Sequence, residues 1–539
     1  MQVNATQLKT LDTTSLINYI QELESKYNQR LKEMETDFKN LQFDHELLQE
    51  KYKLAMLQKF SRSAEQLMAD KNQPLLFGSE EEKTETGKKE KAFEEIKSYK
   101  RKKPGRKAID PNIPREEKII DIEESEKTCA CGEKLTKIGE ETNEKLHIEP
   151  PRMSVIKTIR PKYACRKCEG TEDEESKTIR IAPVEPVIIP RGIATPGLLS
   201  WIMTYKYEHH LPFYRQELVF EKIMVNVSRQ NMSNWQQQVY DKIKPLFILM
   251  KETLKNGPVI QTDETEVQVI GEEERSYTQK SYMWLSRGGP PDKPVTMYQY
   301  RKTRKAENVR EILEGYSGYL QTDGYIGYDS ALGGNNNIIH VGCFAHVRRK
   351  FFEAAKVSSR RTTAEQGVNF IKKLYVIENE LRNKYPQDKT DDEIKRNKKH
   401  EDFLNERKKC CMPVLTEFKS WLIKLQAEVP ESTLLGKAVY YALSQWEKLI
   451  RYVDSPYLTP DNNACENAIR PFVIGRKNWL FSQSPYGAES SCGMYSLIQT
   501  AKQNGLNSFE YLKSLFEKAP YASSRDDWEK LLPWNIYKS

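Results

Sequence analysis

Residues 259–269 read VIQTDETEVQV, and two further β-like runs follow, YMWLS at 282–286 and VTMYQYR at 295–301. The apolar pattern then predicts alternating elements: a helix at about 305–313, a strand at 319–322, a short helix, a strand at 337–341 and a helix from about residue 345. In a ribonuclease H-like fold, three strands form an antiparallel meander and later strands return through crossover helices. The sequence therefore predicts a ribonuclease H-like α/β domain over residues 257–500.

Two acidic residues stand at corresponding places in this predicted sheet. Asp263 lies in the first strand and Asp323 ends the fourth, and the two strands are expected to be neighbours. Carboxylates this close repel each other unless a cation such as magnesium compensates their charge. An aspartate at a strand end is also a common turn former, so a structural role remains the alternative for either residue alone.

A third carboxylate is expected from DNNACENAIRPF at 461–472. We expect Asp461 to cap a helix and Glu466 to project from the second turn of that helix. Together with Asp263 and Asp323, Glu466 would hold two metal ions. Such a pair of ions activates the attacking oxygen and stabilises the leaving oxygen in displacement at phosphorus.

Basic side chains follow Glu466 in the same segment. Arg470, Arg476 and Lys477 are predicted to bind DNA phosphates and offset developing charge. For Arg470, a simple ion pair with Glu466 on the helix surface is the alternative. Before this helix, residues 360–456 are helical and charged, which predicts an insertion in the catalytic domain. The insertion either shields the site, grips DNA or forms a solvated hairpin, and residues 501–539 follow the domain as a helical tail.

The N-terminal 73 residues contain neither glycine nor proline. Within residues 20–55, seam positions recur at alternating steps of four and three, and Glu24 and His45 interrupt the apolar ones. This heptad pattern predicts a coiled coil over residues 1–70 that joins copies of the chain. The alternative is a lone helix folded onto the body.

Residues 71–118 have the composition of a disordered linker, rich in Lys, Glu, Pro and Gly. Their basic centre, KSYKRKKPGRK at 97–107, favours binding to a polyanion, with a solvated linker as the alternative. The DNA-binding candidates there are Lys102, Lys103, Arg106 and Lys107.

Residues 119–192 predict a small zinc-ribbon-like module. Its four candidate zinc ligands are Cys129, Cys131, Cys165 and Cys168. The second pair has the common C-x-x-C spacing, whereas Cys129-Ala-Cys131 is one residue tighter. Short β-like runs are expected at 154–159 and 161–164. Ordinary reduced cysteines in a domain with its own core are the alternative.

Residues 193–256 predict helices, the first beginning at Thr195-Pro196 and the third at Ser228. The pattern favours a helix-turn-helix, with a plain helical linker as a nearly equal alternative. The side chains predicted to contact base edges are Arg229, Gln230, Asn231 and Asn234.

Overall composition is consistent with a multidomain α+β protein. The chain has 539 residues and a net charge of +8, and it contains no run of about 18 apolar residues. Its start lacks the layout of a secretory signal. We therefore expect a cytoplasmic, nucleoid-associated protein whose clustered cysteines bind metal rather than form disulfides.

Four segments carry a family resemblance: QTDETEV at 261–267, LQTDGYIGYDS at 320–330, GCFAHVRRKF at 342–351 and DNNACENAIRPFVIGRKNWLF at 461–481. They resemble the signature blocks of the insertion sequence 66 (IS66) family of bacterial transposases. The resemblance extends from the N-terminal helix to IQTAKQNGLNSFEYL at 498–512. It departs from the family at Cys129-Ala-Cys131, where C-x-x-C is usual.

The resemblance implies that Asp263, Asp323 and Glu466 are a DDE triad. It also implies two Mg²⁺ ions, for which Mn²⁺ substitutes, structural Zn²⁺, and cleavage and strand transfer of DNA at terminal inverted repeats and a target. Small accessory transposition proteins are implied as partners. Cys343 and His346 resemble the C-x-x-H element of many DDE transposases, where either metal binding or packing is expected.

Two rival functions remain at the level of sequence. One is an inactive transposase copy that acts as a DNA-binding protein, and the other is a nuclease with a ribonuclease H-like fold. The first binds DNA without cutting it, and the second cuts without joining.

Overall fold

The computed structural model describes residues 13–60, 153–164 and 179–537, apart from 274, 277, 335–336, 358–359 and 387–391. The chain divides into two compact units, residues 80–184 in one and residues 1–79 with 185–539 in the other. The predicted linker and zinc-ligand side chains lie outside the described residues: Lys102, Lys103, Arg106, Lys107, Cys129, Cys131, Cys165 and Cys168.

The N-terminal region forms one helix of 48 residues, α1 (Thr13–Phe60). The large apolar side chains of the predicted seam are exposed, namely Ile20, Tyr27, Leu31, Met34, Phe38, Leu41, Leu48 and Tyr52. A different stripe, Leu47, Leu54 and Leu57, is half-buried. The helix contacts the body at residues 344–357. The contact of α1 with the body therefore leaves the heptad seam exposed to solvent.

The smaller unit contains a short antiparallel ladder of β1 (Lys162–Ala164) and β2 (Ile179–Ile181). The prediction of a strand at 154–159 is wrong, because these residues have no regular structure. Their apolar side chains Val155, Ile156 and Ile159 are exposed. β-Branched residues favour a strand only where a partner strand and a packed face are available.

In the described residues 193–256, four helices lead into the main sheet: α2 (Pro196–Tyr207), α3 (Phe213–Lys222), α4 (Arg229–Lys242) and α5 (Lys244–Lys255). The first begins as predicted, because the Thr195 hydroxyl accepts the Leu198 N–H at 3.2 Å. Ser228 caps α4 in the same way, accepting the Asn231 N–H at 3.2 Å. Residues 223–228 join α3 to α4, so the expected order of two helices around a short turn is present.

Five strands form one mixed sheet: β3 (Val259–Gln268), β4 (Lys280–Gly288), β5 (Val295–Arg301), β6 (Gly318–Gln321) and β7 (Ile338–Val341). Their order is β5-β4-β3-β6-β7. The first three pair antiparallel, whereas β6 runs parallel to β3 and β7 parallel to β6. The helices between and after the later strands are α6 (Ala306–Leu313), α7 (Ile326–Leu332) and α8 (Phe344–Val357). The predicted succession of elements is therefore confirmed.

A helical insertion follows α8: α9 (Arg361–Lys384), α10 (Glu393–Glu428), α11 (Leu434–Ser444), α12 (Trp446–Leu449) and a 3₁₀ turn (Ile450–Asp454). Together with α8 and Val341 of β7, it encloses a hydrophobic core of its own. The insertion is therefore a packed helical layer rather than a solvated hairpin.

The chain ends with α13 (Asn463–Trp479), α14 (Pro485–Gln503), α15 (Ser508–Lys518), a 3₁₀ turn (Ala519–Tyr521) and α16 (Arg525–Lys530). Helix α13 packs on β3 and β4, α14 on β5, and α15 on α2. α14 runs through residue 500, where the predicted catalytic domain ends. Among the described helices, none combines the length and apolar character needed to cross a bilayer.

The edge strand β5 is covered by hydroxyl groups of α14. The Thr296 N–H donates to Thr500 Oγ1 at 3.1 Å, and the Tyr298 N–H donates to Ser496 Oγ at 2.8 Å. Thr500 Oγ1 donates back to the Thr296 carbonyl at 3.1 Å. An open edge strand presents unpaired backbone groups. Here Ser496 and Thr500, one helical turn apart, bond to these backbone groups and hold α14 against the sheet.

Candidate active site

The two aspartates come to the same edge of the sheet because their strands are parallel and in register. Gln261 of β3 pairs with Gln321 of β6, and each glutamine precedes an aspartate by two residues. Asp263 lies within β3, whereas Asp323 lies two residues beyond the end of β6. The structure thus brings together the two carboxylates that the sequence paired.

Each aspartate is held by a backbone amide. Asp263 Oδ1 accepts the Glu264 N–H at 2.9 Å, and Asp323 Oδ1 accepts the Tyr325 N–H at 3.0 Å. These bonds use one oxygen of each carboxylate and orient the group. Burial raises the pKa of Asp263 to about 7, and repulsion from Glu264, Glu466 and Asp323 adds to this effect. The carboxylates therefore share one electrostatic environment.

Glu264, the neighbour of Asp263, is occupied by structural partners. Its buried carboxylate forms an ion pair with Arg304 and accepts the hydroxyl of Tyr328. The Arg304 guanidinium also lies 3.7 Å from the centroid of the Tyr325 ring. Glu264 therefore anchors Arg304 beside the site rather than serving as a free ligand.

Glu466 enters the site from the first turn of α13. Two expectations are corrected here, since Glu466 was expected on the second turn and Asp461 was expected as the cap. Asn462 occupies the N-cap position without a side-chain cap bond. Asp461 instead accepts the Asn463 N–H at 3.0 Å and the Asn463 side-chain amide at 2.9 Å. Because Asp461 is engaged in this local turn, the helix begins later than expected.

Two side chains of α8 lie beside Glu466. His346 Nε2 is 3.5 Å from Glu466 Oε1, and Arg349 Nη2 is 3.4 Å from Glu466 Oε2. Within the described part of the chain, Glu466 Oε1 is buried without a hydrogen-bond partner. A buried carboxylate oxygen left without a donor is suited to a cation. The oxygen ligands of this site also match the preference of Mg²⁺, so the residues present fit the implied metal.

Glu466 also belongs to a second group of possible metal ligands, which includes a cysteine sulfur. One ligand atom each of Cys343, His346 and Glu466 lies within 4.8 Å of the others. Cys343 Sγ accepts the Asn462 N–H at 3.2 Å, and burial raises the pKa of the thiol. Burial also lowers the pKa of His346, although Glu466 opposes this shift. Cys343 is therefore already engaged in joining α8 to the loop before α13.

The insertion reaches the site through Tyr441 of α11. A Cβ atom added at Gly324 would lie 2.5 Å from the Tyr441 hydroxyl oxygen, so a larger residue directly after Asp323 would displace the Tyr441 ring. The Lys350 ammonium lies 4.6 Å from the centroid of the Tyr441 ring. The turn that carries Asp323 therefore packs against Tyr441, whose ring also contacts a cation of α8.

The basic residues predicted after Glu466 are placed differently from the cations found at the site. Arg470 and Lys477 are exposed and Arg476 is half-buried along α13. The cations found there, Arg349 paired with Glu466 and Arg304 paired with Glu264, were not predicted. The GCFAHVRRKF block contained the signal for Arg349, but nothing in the sequence indicated that its helix faces Glu466.

The predicted base-contacting residues lie on the first turns of α4. Arg229, Gln230, Asn231 and Asn234 are exposed. The Gln230 side-chain amide donates to Asn234 Oδ1 at 3.0 Å, and Arg229 lies near Glu217 of α3, with 3.9 Å between Nε and Oε2. These polar groups therefore form one exposed surface at the start of the helix.

Sequence comparison defines the class of protein as a transposase. The profile described as "Transposase IS66 family" matches residues 191–490 and includes all three carboxylates. The chain belongs to the IS66 transposase family. Further matches are the "zinc-finger binding domain of transposase IS66" at 126–169, the "IS66 C-terminal element" at 496–534 and the "Transposase C of IS166 homeodomain" at 47–117.

Two curated relatives from Sinorhizobium fredii are similar over most of their length. The uncharacterized protein y4jD is 29% identical over 437 residues, which cover 79% of this chain and 80% of the relative. The uncharacterized protein y4qI is 30% identical over 442 residues, which cover 80% and 77%. The similarity thus extends well beyond the catalytic blocks.

Proposed function

We propose that the protein is an active insertion-sequence transposase in which Asp263, Asp323 and Glu466 hold two Mg²⁺ ions. The observation that carries this proposal is the convergence of three carboxylates from distant segments, where burial and mutual repulsion raise the pKa of Asp263 to about 7. Such an arrangement opposes folding stability and therefore indicates a functional site. We further propose that residues 257–500 form a ribonuclease H-like domain.

Bound Mg²⁺ supplies Lewis acidity at the attacking and leaving oxygens of the phosphodiester. The protein's own part is to hold the ligands and bind the DNA backbone. Arg349 pairs with one oxygen of Glu466 while remaining about half exposed, with 42% of its side chain accessible. Its free N–H groups are thus available to a phosphate, and Arg304, anchored by Glu264, offers a second positive charge.

DNA ends are proposed to bind at sites away from the carboxylates. The helix pair α3–α4 presents Arg229, Gln230, Asn231 and Asn234 toward solvent, which suits base-edge recognition. The basic segment with Lys102, Lys103, Arg106 and Lys107 would add phosphate contacts, and the four predicted zinc ligands would fold a supporting module. These assignments rest on the sequence.

Self-association is proposed to occur through α1. Its exposed seam repeats with the heptad pattern, and two parallel copies would bury apolar side chains that otherwise face water. A second copy of the same chain is the simplest partner for α1, because its seam has the same heptad spacing.

The test is incubation of the purified protein with a labelled element-end duplex and a supercoiled plasmid, with Mg²⁺ or with EDTA. We expect metal-dependent nicking followed by a joined product. Cutting without joining would favour a nuclease, and binding without cutting would favour an inactive, DNA-binding copy.

A further inference from the structure

The tripeptide Gln-Thr-Asp occurs twice, at 261–263 and at 321–323. The two copies belong to neighbouring parallel strands, and Gln261 is the register partner of Gln321. Residues two apart on a strand share a face. Gln261 therefore shares a face of β3 with Asp263, and Gln321 lies two residues before Asp323.

The two glutamine side chains form a buried ladder. Gln261 Nε2 donates to Gln321 Oε1 at 2.9 Å, and Gln321 Nε2 donates to the Thr459 carbonyl at 2.7 Å. Gln261 is 7% exposed and Gln321 is fully buried. Arg287 Nη1 approaches Gln261 Oε1 at 3.4 Å from the opposite side. Amides this deep are costly unless they are hydrogen-bonded, so the bonds determine their arrangement.

The last acceptor of the ladder lies in the loop that leads to Glu466. The Thr459 hydroxyl donates to the Asp461 carbonyl at 2.7 Å, and the Asn462 side-chain amide donates to the Thr262 carbonyl at 3.3 Å. One hydrogen-bonded chain therefore connects β3, β6 and the start of α13. These are the three segments that carry the carboxylates.

We propose that Gln261 and Gln321 are positioning residues that set the spacing of Asp263, Asp323 and Glu466. The carboxylates repel one another, and this repulsion moves them apart unless the backbone behind them is fixed. Mg²⁺ requires near-ideal octahedral geometry, so a small displacement weakens its binding. This inference rests on the proposed metal-dependent function.

The test measures Mn²⁺ binding by electron paramagnetic resonance on the full-length protein, which does not depend on activity. Gln321→Met keeps the side-chain volume and removes both ladder bonds. We expect Mn²⁺ affinity to fall about tenfold, the lower end of the effect of losing an outer-shell partner. Gln261→Met leaves the bond to Thr459 in place, so a smaller loss is expected. This second variant also serves if Gln321→Met does not fold.

The matched control is Gln236→Met. Gln236 is also buried, and its side-chain amide donates to Ser490 Oγ at 2.7 Å, but this bond joins α4 to α14. It should lower thermal stability to a similar degree and leave Mn²⁺ affinity unchanged. Unaltered affinity in both ladder variants, or an equal loss in the control, would overturn the positioning role.

The ladder and the proposed function fail in different ways. If Asp323→Asn abolishes Mn²⁺ binding while Gln321→Met binds as the wild type does, the metal site stands and the ladder is rejected. If the wild-type protein binds no Mn²⁺, both proposals are rejected.

Discussion

Arg407 of α10 and Glu378 of α9 form a buried ion pair, with Nε 3.0 Å from Oε2. Arg407 is fully buried and also donates to the carbonyls of Tyr452, Ser455 and Leu458. These carbonyls lie in the segment that leads from the insertion to Glu466. The insertion therefore holds the approach to the catalytic helix as well as forming its own core.

Replacing Arg407 should destabilise the fold strongly. Among the described residues, Arg407→Met leaves Glu378 with Arg382 as its ionic partner, and it removes one donor from each of three carbonyls. We expect a loss of about 3 kcal/mol in the free energy of unfolding, measured by urea denaturation. Lys384→Met, which removes an exposed ion pair with Glu406, serves as the control and should leave the midpoint nearly unchanged. Equal effects of the two substitutions would contradict this role of Arg407.

The raised pKa of Asp263 predicts a pH-dependent cost in the metal-free protein. Between its ordinary value of 3.8 and about 7, folded Asp263 keeps a proton that the unfolded chain has lost. Stability contributed by this proton is present at low pH and is lost as pH rises to about 7. Asp263→Asn should therefore raise the melting temperature by a few degrees at pH 8 and by less at pH 5.

Scanning calorimetry in EDTA measures this difference. Added Mg²⁺ should stabilise the wild-type protein and not the variant, because only the wild type keeps all three carboxylates. A gain that is equal at pH 5 and pH 8 would show that Asp263 is not the group responsible.

The hydroxyl groups on α14 should contribute to stability through β5. Ser496→Ala and Thr500→Val each leave a backbone N–H of an edge strand without its partner, a cost of about 1–2 kcal/mol per site. Chemical denaturation checks this, with Ser444→Ala on the exposed end of α11 as the control. Unchanged stability in both Ser496→Ala and Thr500→Val would contradict a stabilising role of these hydroxyl groups, as would an equal loss in Ser444→Ala.

The fold was largely predictable because its strands and helices differ in hydrophobic period. Alternation in 259–269 and the helical spacing after it gave the right order of elements, and the starts of two helices were recognised at Thr195 and Ser228. The strand at 154–159 was wrong because its β-branched residues lack a partner strand, and this depends on distant parts of the chain.

The site was less predictable than the fold. The three carboxylates were named from their places in strands and blocks, whereas Arg349, Arg304 and the glutamine ladder depend on how segments meet. Spacing within a segment shows which side chains share a face. It does not show which helix lies opposite, and so Arg470 was named as a candidate and Arg349 was not.

The seam of α1 should control self-association. Leu31→Lys and Phe38→Lys place charge in the middle of the exposed stripe, and we expect the oligomer to dissociate in sedimentation velocity experiments. Glu33→Lys, an exposed residue between them that lies neither on the stripe nor at a position flanking it, is the matched control and should not change the assembly. An unchanged sedimentation coefficient in both seam variants would exclude a coiled coil.

The most direct test of the central claim compares Asp323→Asn with Glu266→Gln in the strand-joining reaction. Glu266 is an exposed carboxylate of β3 whose ionic partner is Lys280, so it matches the lost charge without touching the site. We expect Asp323→Asn to bind the element end normally and to form less than about a hundredth of the wild-type joined product, because it lacks a ligand for the metal. Glu266→Gln should join as the wild type does. Substantial joining by Asp323→Asn would contradict the assignment of this carboxylate to the active site.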